Sequence, residues 1–145
     1  MPKAKGFFST KDELMILNAI RHAESNTSGE IRVHVEDRCK GEVLSRAAQV
    51  FDLLKMQKTK LRNGVLFYFA VKDKKFAILG DAGINEKVPD DFWDEIKKVL
   101  LSHFKEGEFA RGLTEGIMMA GDQLRAHFEY YDDDINELSD DISYS

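Results

Sequence analysis

Two segments in the middle of the chain have the hydrophobic patterns of β-strands. Residues 30–36 alternate strictly between polar and apolar side chains, which predicts a strand with one apolar face. Residues 65–71 are apolar at every position apart from the hydroxyl of Tyr68, which predicts a strand covered on both faces. Residues 72–75 are short enough for a hairpin turn, so the apolar residues 76–79 should form an antiparallel neighbour.

Helical spacing of apolar residues predicts four helices. The predicted helices span residues 10–24, roughly 42–56, 89–104 and 109–128. At the start of the first helix, Thr10 and Glu13 have the spacing of a capping box. Ser9 and Asp12 form a weaker, overlapping variant of the same motif. The side chain that caps this helix is therefore expected to be Thr10.

The order of these elements predicts a three-layer α/β/α sandwich around a small mixed β-sheet. A helix connects the first two strands, so they should be parallel and joined by a right-handed crossover. The hairpin then adds an antiparallel strand, and helices cover both faces of the sheet. We expect one domain over residues 1–130, followed by a disordered acidic tail over residues 131–145.

The charge of the chain changes this picture only near the C-terminus. Seven of the 26 acidic residues lie in residues 129–145, which contain no lysine or arginine, so the remainder is nearly neutral. The bases of that remainder are scattered, which argues against nucleic-acid binding. No apolar run is long enough to span a membrane, and the N-terminus lacks the apolar core of a signal peptide. The single cysteine, Cys39, fits a reducing compartment, so we expect a cytoplasmic monomer without membrane insertion.

The predicted topology brings acidic residues together at one edge of the sheet. Three loops, called here the edge loops, should meet there: residues 24–30, 59–64 and 81–91. Their candidate metal ligands are the side chains of Glu24, Glu30, Asn63, Asp81, Glu86, Asp90 and Asp91. Clustered carboxylates repel each other unless a cation or a basic side chain lies among them. Oxygen ligands without clustered cysteine or histidine indicate Ca²⁺ or Mg²⁺ rather than Zn²⁺.

Other interpretations of the acidic residues stay open. The same acids are typical of solvated loops and helix N-caps, and Asp90 and Asp91 in particular suit the first turn of a helix. The opposite edge of the sheet, with Glu36 and Asp73, lies where open α/β sheets usually bind ligands. It carries fewer acids and a single glycine, so we rank it second. His34 is a candidate general base, but a half-exposed strand histidine is more often structural.

Several motifs together resemble the TPM domain family over roughly residues 8–128. The matching segments are ESNTSGEI at 24–31, TKLRNGVL at 59–66, FAILGDAGI at 76–84, FW at 92–93 and FKEGEFARGL at 104–113. The resemblance implies an α/β/α sandwich, in agreement with the order of elements. The polar residues of these matching motifs are Glu24, Thr27, Ser28, Glu30, Thr59, Arg62, Asn63 and Asp81. All of them fall in the edge loops.

The resemblance also implies candidate activities. Acid phosphatase activity and divalent-cation binding are attributed to relatives from the thylakoid lumen that are linked to photosystem repair, and an animal relative modulates a receptor. Many bacterial relatives carry a signal peptide and a transmembrane segment. Neither pattern is found in this sequence, so we expect a stand-alone, soluble bacterial member of the family.

Three functions are consistent with these features. The first is a metal-responsive regulatory or interaction module that binds Ca²⁺ or Mg²⁺ through the edge loops. The alternative is a metal-dependent phosphatase of low activity, in which Arg62 stabilises charge developing on the phosphoryl group. A third is a module that binds a protein partner through its acidic tail or exposed loops. We favour the first, because carboxylates and glycines suffice for cation binding, whereas catalysis needs placed acid–base groups.

Overall fold

The computed structural model contains five α-helices and four strands within the residues that it describes, 6–25, 27–59, 61–89, 91–128 and 142–144. The helices are α1 (Thr10–Glu24), α2 (Val43–Leu53), α3 (Ala82–Asn85), α4 (Phe92–Lys105) and α5 (Phe109–His127), with a 3₁₀ helix at Met56–Lys58. The strands are β1 (Glu30–Glu36), β2 (Gly64–Ala70), β3 (Lys75–Gly80) and β4 (Ser143–Tyr144). None of the described helices is both long and apolar enough to span a membrane.

The four strands form one mixed sheet in the order β3-β2-β1-β4. β1 runs parallel to β2, with Glu30 opposite Gly64 and Glu36 opposite Ala70. β2 and β3 pair antiparallel across the predicted hairpin. The predicted parallel and antiparallel pairings are therefore confirmed.

Helices cover both faces of the sheet, which confirms the predicted α/β/α sandwich. On one face, α1, α4 and α5 pack against the odd-numbered apolar residues of β1 and β2, such as Val33 and Phe67. On the other face, α2 packs against the even-numbered residues of β2, including Leu66 and Tyr68. β2 is buried along its whole length, as its unbroken apolar run predicts.

The polar face of β1 is covered, which corrects the expectation of a half-exposed strand. Glu30, His34 and Glu36 are each only 4% exposed. Arg46 of α2 reaches over Glu36, and Ser143 of β4 lies against His34. Strict alternation therefore identified the apolar face correctly, but the opposite face is buried under polar partners rather than open to water.

The last described residues, 142–144, lie against β1 and α1. β4 pairs in parallel with β1, with Ser143 opposite His34. The Tyr144 hydroxyl donates a hydrogen bond to Glu13 of α1 at 3.0 Å, and Ile142 packs beside the main core. Apolar side chains and an open strand edge thus hold these three residues against the sheet and the core. The remainder of the predicted tail lies outside the described residues.

Two helix ends also differ from the sequence-based predictions. Ser9, rather than Thr10, caps α1, because its hydroxyl accepts a hydrogen bond from the Asp12 N–H at 3.1 Å. The weaker of the two capping motifs is therefore the one that forms. α2 ends at Leu53, earlier than predicted, because Lys55 adopts a left-handed backbone conformation with φ of 58°.

Candidate functional site

The three edge loops meet at one edge of the sheet, as the predicted topology requires. The Glu30 N–H donates to the Asn63 carbonyl at 3.4 Å, which joins the first edge loop to the second. The Gly83 N–H donates to the Arg62 carbonyl at 2.8 Å, which joins the third loop to the second. The loops therefore lie side by side where β1 and β2 begin and β3 ends.

Most of the buried polar side chains in the described part of the chain belong to the edge loops. Seven polar or charged residues are buried there, and five of them lie in these loops: Thr27, Glu30, Thr59, Asn63 and Asp81. Burying a polar group is costly unless it gains a hydrogen bond or a counter-charge. This edge therefore concentrates groups that must be satisfied by one another or by a ligand.

Asp81 has a basic partner within the site. The Arg62 guanidinium donates to both carboxylate oxygens, from Nε to Oδ2 at 2.7 Å and from Nη2 to Oδ1 at 2.8 Å. The Ala82 N–H donates to Oδ1 at 2.7 Å, so Asp81 also caps α3. The hydrogen bonds to Asp81 hold the pKa of Arg62 above its ordinary value. A bidentate pair of this kind neutralises the buried carboxylate.

The side chain of Asn63 connects the second edge loop to the first, and that of Glu24 binds the start of β1. Glu24 Oε2 accepts a hydrogen bond from the Ile31 N–H at 2.8 Å. Asn63 Nδ2 donates to the Ser28 hydroxyl at 3.3 Å, and the Asn63 N–H donates to the Thr59 hydroxyl at 3.3 Å. These contacts place the Asn63 amide of the second loop next to the Ser28 hydroxyl of the first.

The first edge loop is also fixed to the C-terminal end of α5. The Thr27 hydroxyl is shared between the carbonyls of Leu124, at 2.9 Å, and Phe128. The Ser28 N–H donates to the Phe128 carbonyl at 3.1 Å. Gly29 packs so closely that a Cβ there would lie 2.5 Å from the Leu124 side chain. The position of this loop is therefore coupled to the end of α5.

Two of the remaining predicted ligands are exposed in the outer part of the third edge loop. Glu86 is exposed at the C-terminal end of α3. Asp91 is exposed at the N-cap of α4, where its side chain makes no capping hydrogen bond with the described residues. Asp90 lies outside the described residues. Of the predicted ligands, Glu30, Asn63 and Asp81 are buried where the edge loops meet, and Glu24 contacts the start of β1.

The oxygen groups at this edge fit a hard divalent cation. Carboxylate, amide, hydroxyl and backbone carbonyl oxygens are the ligands that Ca²⁺ and Mg²⁺ prefer. Across the described ranges, no group of three or more histidine, cysteine, aspartate or glutamate side chains is arranged to hold a metal ion. A cation here would therefore need amide, hydroxyl and carbonyl oxygens as well as carboxylates.

A groove of about 230 Å³ opens beside the pair of Arg62 and Asp81. Phe51 and Leu79 form its apolar walls, and Gln57 contributes an amide. The Gln57 Oε1 atom is buried and has no hydrogen-bond partner among the described residues. The arginine of the edge loops therefore borders a space in which a small molecule could contact it.

A second buried polar network lies at the opposite edge of the sheet, around Glu36. Arg46 donates to both of its carboxylate oxygens, at 2.9 and 2.8 Å, and the Tyr68 hydroxyl donates to Oε2. His34 Nε2 lies 3.5 Å from Oε1, and His34 Nδ1 lies 2.9 Å from the Ser143 hydroxyl. The network connects β1, β2, α2 and β4, which gives it a structural role.

The environment of this network shifts the pKa values of its members. Burial opposes the charged form of Glu36, but hydrogen bonds from Arg46 and Tyr68 outweigh it and hold the pKa of Glu36 below its ordinary value. Burial lowers the pKa of His34 despite the attraction of Glu36. Burial and the hydrogen bond to Glu36 raise the pKa of Tyr68. At neutral pH the network therefore contains a charged pair of Glu36 and Arg46 beside a neutral His34.

This network is absent from our sequence-based predictions, which rank this edge second. Other acids of the same edge hold the backbone: Asp73 accepts from the Cys39 N–H at 2.7 Å, and Glu42 caps α2. A signal for the network was available in the strand patterns. Tyr68 interrupts an apolar run, and the parallel register places it opposite His34.

An α/β/α sandwich with buried polar groups gathered at one sheet edge describes the class of this protein. The family profile described as TPM domain matches residues 3–123. The chain therefore belongs to the TPM domain family, as its motifs indicate. A search among curated proteins gives no significant match.

Solved structures of bacterial proteins share this fold. The NMR structure of the BA42 protein from the psychrophilic bacterium Bizionia argentinensis is 50% identical over 100% of both chains, with a TM-score of 0.90. The N-terminal domain of cg2496 from Corynebacterium glutamicum is 15% identical, with a TM-score of 0.66 over 82% of this chain and 75% of that one. The N-terminal domain of a protein from P. gingivalis is 19% identical, with a TM-score of 0.68 over 87% and 83%. The last two show the fold alone.

Proposed function

We propose that this TPM domain binds a divalent cation, Ca²⁺ or Mg²⁺, at the sheet edge formed by the edge loops. The observation that carries the proposal is the concentration of buried oxygen groups, since Asn63 is 2% exposed and Asp81 is 6% exposed beside the equally buried Glu30. A bound cation would stabilise these groups, because it neutralises carboxylates whose burial is otherwise costly.

Glu24, Glu30 and Asn63 form the inner ligand set of this proposal. Their loops are in direct contact, and Ser28 adds a hydroxyl oxygen beside the Asn63 amide. Ca²⁺ takes roughly six to eight oxygen ligands, so loop carbonyls and water would complete the set. Asp81 adjoins the set, within a neighbouring loop. Glu86 and Asp91 are exposed outer members, which would attract the cation through their charge. Asp90, the remaining candidate ligand, lies outside the described residues.

A cation held by the edge loops would link distant parts of the chain. The first loop is fixed to α5 through Thr27, and the second is joined to the third through the contact between Arg62 and Gly83. Binding would stabilise the folded protein by about 2.7 kcal/mol at a free metal concentration of roughly 100 times Kd. We therefore regard the domain as a metal-responsive module that presents its loop surface to a protein partner.

Amide NMR spectra of the metal-free protein, recorded during titration with CaCl₂ and MgCl₂, test this function. We expect saturable shifts confined to the edge loops. Glu30→Gln should weaken binding by roughly tenfold, equivalent to about 1.4 kcal/mol. Glu95→Gln, which alters an exposed acid of α4, should leave binding unchanged. An absence of shifts in the edge loops, or shifts only in residues 129–145, would refute cation binding at this edge.

Metal-dependent phosphatase activity is the second candidate function. The observation that favours it is the half-exposed guanidinium of Arg62 beside the groove, where a phosphoryl group could contact both the arginine and a bound cation. Hydrolysis of p-nitrophenyl phosphate with and without Mg²⁺ tests this activity. Turnover that requires the metal and falls in Asp81→Asn would support it. Equal rates in Asp81→Asn and wild type would exclude it.

We further propose that the protein is a cytoplasmic monomer. Cys39 is a buried free thiol, which fits a reducing compartment. Size-exclusion chromatography with light scattering tests the oligomeric state, and a mass of twice 16.6 kDa would contradict it.

A further inference from the structure

We propose that the groove between α2 and the end of β3 binds a small organic amine, whose ammonium group is held by Gln57 and Asp52. Phe51 and Leu79 form the walls that contact the apolar body of the molecule. This site lies beside the edge loops and needs no metal ion. Three features of the groove support it: an acceptor that lacks a donor, a negative charge that lacks a partner, and apolar walls around a small volume.

The groove contains a hydrogen-bond acceptor without a donor. Gln57 Oε1 is buried and has no hydrogen-bond partner among the described residues. A buried acceptor left in this state is costly, so folded proteins rarely contain one. Gln57 lines the groove and is only half-buried as a residue, so rotation of its terminal amide can turn Oε1 toward a bound molecule. A ligand that donates an N–H would satisfy this atom.

The charges that line the groove favour a positively charged ligand. The Arg62 guanidinium and the Asp81 carboxylate neutralise each other through their two hydrogen bonds. Asp52 is exposed, and its carboxylate has no ion pair or hydrogen bond with the part of the chain that the structure describes. The lining therefore has a net negative charge, which attracts cations and repels anions. An ammonium group carries the required charge and several N–H donors, which can serve both Asp52 and Gln57.

The walls and the volume of the groove limit the rest of the ligand. Phe51 and Leu79 are apolar, so they favour a hydrocarbon group beside the ammonium. The volume is about 230 Å³, whereas sites for drug-sized molecules usually span roughly 300–1,000 Å³. The groove therefore fits a single ring or a short alkyl chain.

The backbone around Gln57 holds the acceptor in place. Lys55 and Arg62, on either side of it in the chain, both adopt left-handed conformations, with φ of 58° and 53°. The Lys58 N–H donates to the Lys55 carbonyl at 3.1 Å, and the Arg62 N–H donates to the Thr59 carbonyl at 3.2 Å. Residues other than glycine rarely adopt this conformation, and those that do are often found at ligand-binding sites. The 3₁₀ helix that carries Gln57 is thus fixed before a ligand arrives.

Amide NMR titrations with three probes of similar size test the site in buffer containing EDTA. The probes are 2-phenylethylamine, neutral 2-phenylethanol and anionic 3-phenylpropionate. For 2-phenylethylamine at pH 7 we expect saturable shifts at the end of α2, at Gln57 and at residues 79–80, with a Kd of roughly 1 mM. The alcohol and the carboxylate should each bind at least about tenfold more weakly, because neither supplies the positive charge.

Three variants identify the groups that hold the ammonium. Gln57→Met removes the amide but keeps an unbranched side chain. It should weaken binding of 2-phenylethylamine by about tenfold and raise the urea midpoint of the free protein, because the unsatisfied acceptor is gone. Asp52→Asn should weaken binding by about threefold, since exposed charges contribute little. Asp94→Asn removes an equally exposed acid from α4, on the other face of the sheet, and should leave binding unchanged.

The probe titrations of wild type decide the question even if a variant fails to fold. Absence of saturable shifts with 2-phenylethylamine, or binding of 3-phenylpropionate as tight as that of the amine, would overturn the assignment. Wild-type affinity in Gln57→Met would overturn it as well. Because EDTA removes divalent cations, these outcomes are independent of cation binding at the edge loops. Failure of CaCl₂ and MgCl₂ to bind would in turn leave the amine site unaffected.

Discussion

The contact between Gly83 and the second edge loop leaves no room for a side chain. A Cβ at this position would lie 2.1 Å from the Leu61 carbonyl oxygen and 2.6 Å from the Arg62 carbonyl oxygen. Both are backbone atoms, so they cannot rotate away as the end of a side chain can. The loop would have to move by about 1 Å to restore ordinary van der Waals separation. We therefore expect Gly83→Ala to destabilise the protein.

One favourable and two unfavourable contributions decide the size of this loss. Alanine in place of glycine within a helix stabilises by about 1 kcal/mol. Overpacking costs about 1–3 kcal/mol. Displacing the loop also breaks the hydrogen bond from the Gly83 N–H to the Arg62 carbonyl, which contributes about 1 kcal/mol. The net expectation is a loss of about 2 kcal/mol in the free energy of unfolding, which lowers Tm by roughly 6 °C in a domain of this size.

Urea unfolding followed by circular dichroism measures the change, with Gly64→Ala as the matched control. Gly64 lies at the same sheet edge, but a Cβ there would lie 3.5 Å from its nearest neighbours, which belong to Met56. That distance is an ordinary contact, so the control should be close to neutral. The midpoint of Gly83→Ala should fall while the m-value stays constant. Equal stability of the two variants would refute the close approach at Gly83.

Two further predictions concern the opposite end of β1 and the strand beside it. Burial lowers the pKa of His34, so the unfolded chain takes up a proton first and stability should fall as the pH drops below about 6.5. His34→Gln should flatten this part of the profile in urea unfolding at stepped pH, and an unchanged slope would contradict the assignment. Tyr144→Phe removes the hydrogen bond to Glu13 and should cost about 1 kcal/mol. In a Glu13→Ala background it should cost clearly less, and additive losses would count against the contact.

The layered fold could be predicted because its central strands carry strong local patterns. The alternation in residues 30–36 and the apolar run in residues 65–71 identify β1 and β2, and the helix between them requires the parallel pairing. β4 could not be predicted in the same way. It has two residues, and its pairing depends on an open edge of β1 about a hundred residues earlier in the chain. An acidic sequence around such a short strand indicates disorder when it is considered alone.

The burial of the polar face of β1 shows a second limit of sequence patterns. Alternation shows which face of a strand is apolar, but not whether the other face meets water or another layer. The side chain of Arg46 covers Glu36, and it can do so because α2 packs against the sheet. His34 is covered by β4, which the sequence does not predict.

The candidate site was predictable in outline, because strand direction determines which loops share an edge. The hydrogen-bond and ion-pair partners within the site could not be predicted from the sequence. Arg62 pairs with Asp81 from a left-handed backbone conformation, with φ of 53°, which few residues other than glycine adopt and which no local motif indicates. Sequence therefore places the carboxylate at the edge, whereas the three-dimensional structure shows that an arginine already occupies it.

β1 carries a buried carboxylate at each end, Glu30 among the edge loops and Glu36 in the network with Arg46. Seven residues of extended chain place these two ends about 20 Å apart. His34 lies four residues from Glu30, or about 13 Å along the strand, which is beyond the roughly 7–10 Å within which sites usually influence each other. Protonation at His34 and cation binding near Glu30 should therefore be independent events. Their contributions to the free energy of unfolding should simply add, so pH and metal concentration can be varied as two separate controls of one small domain.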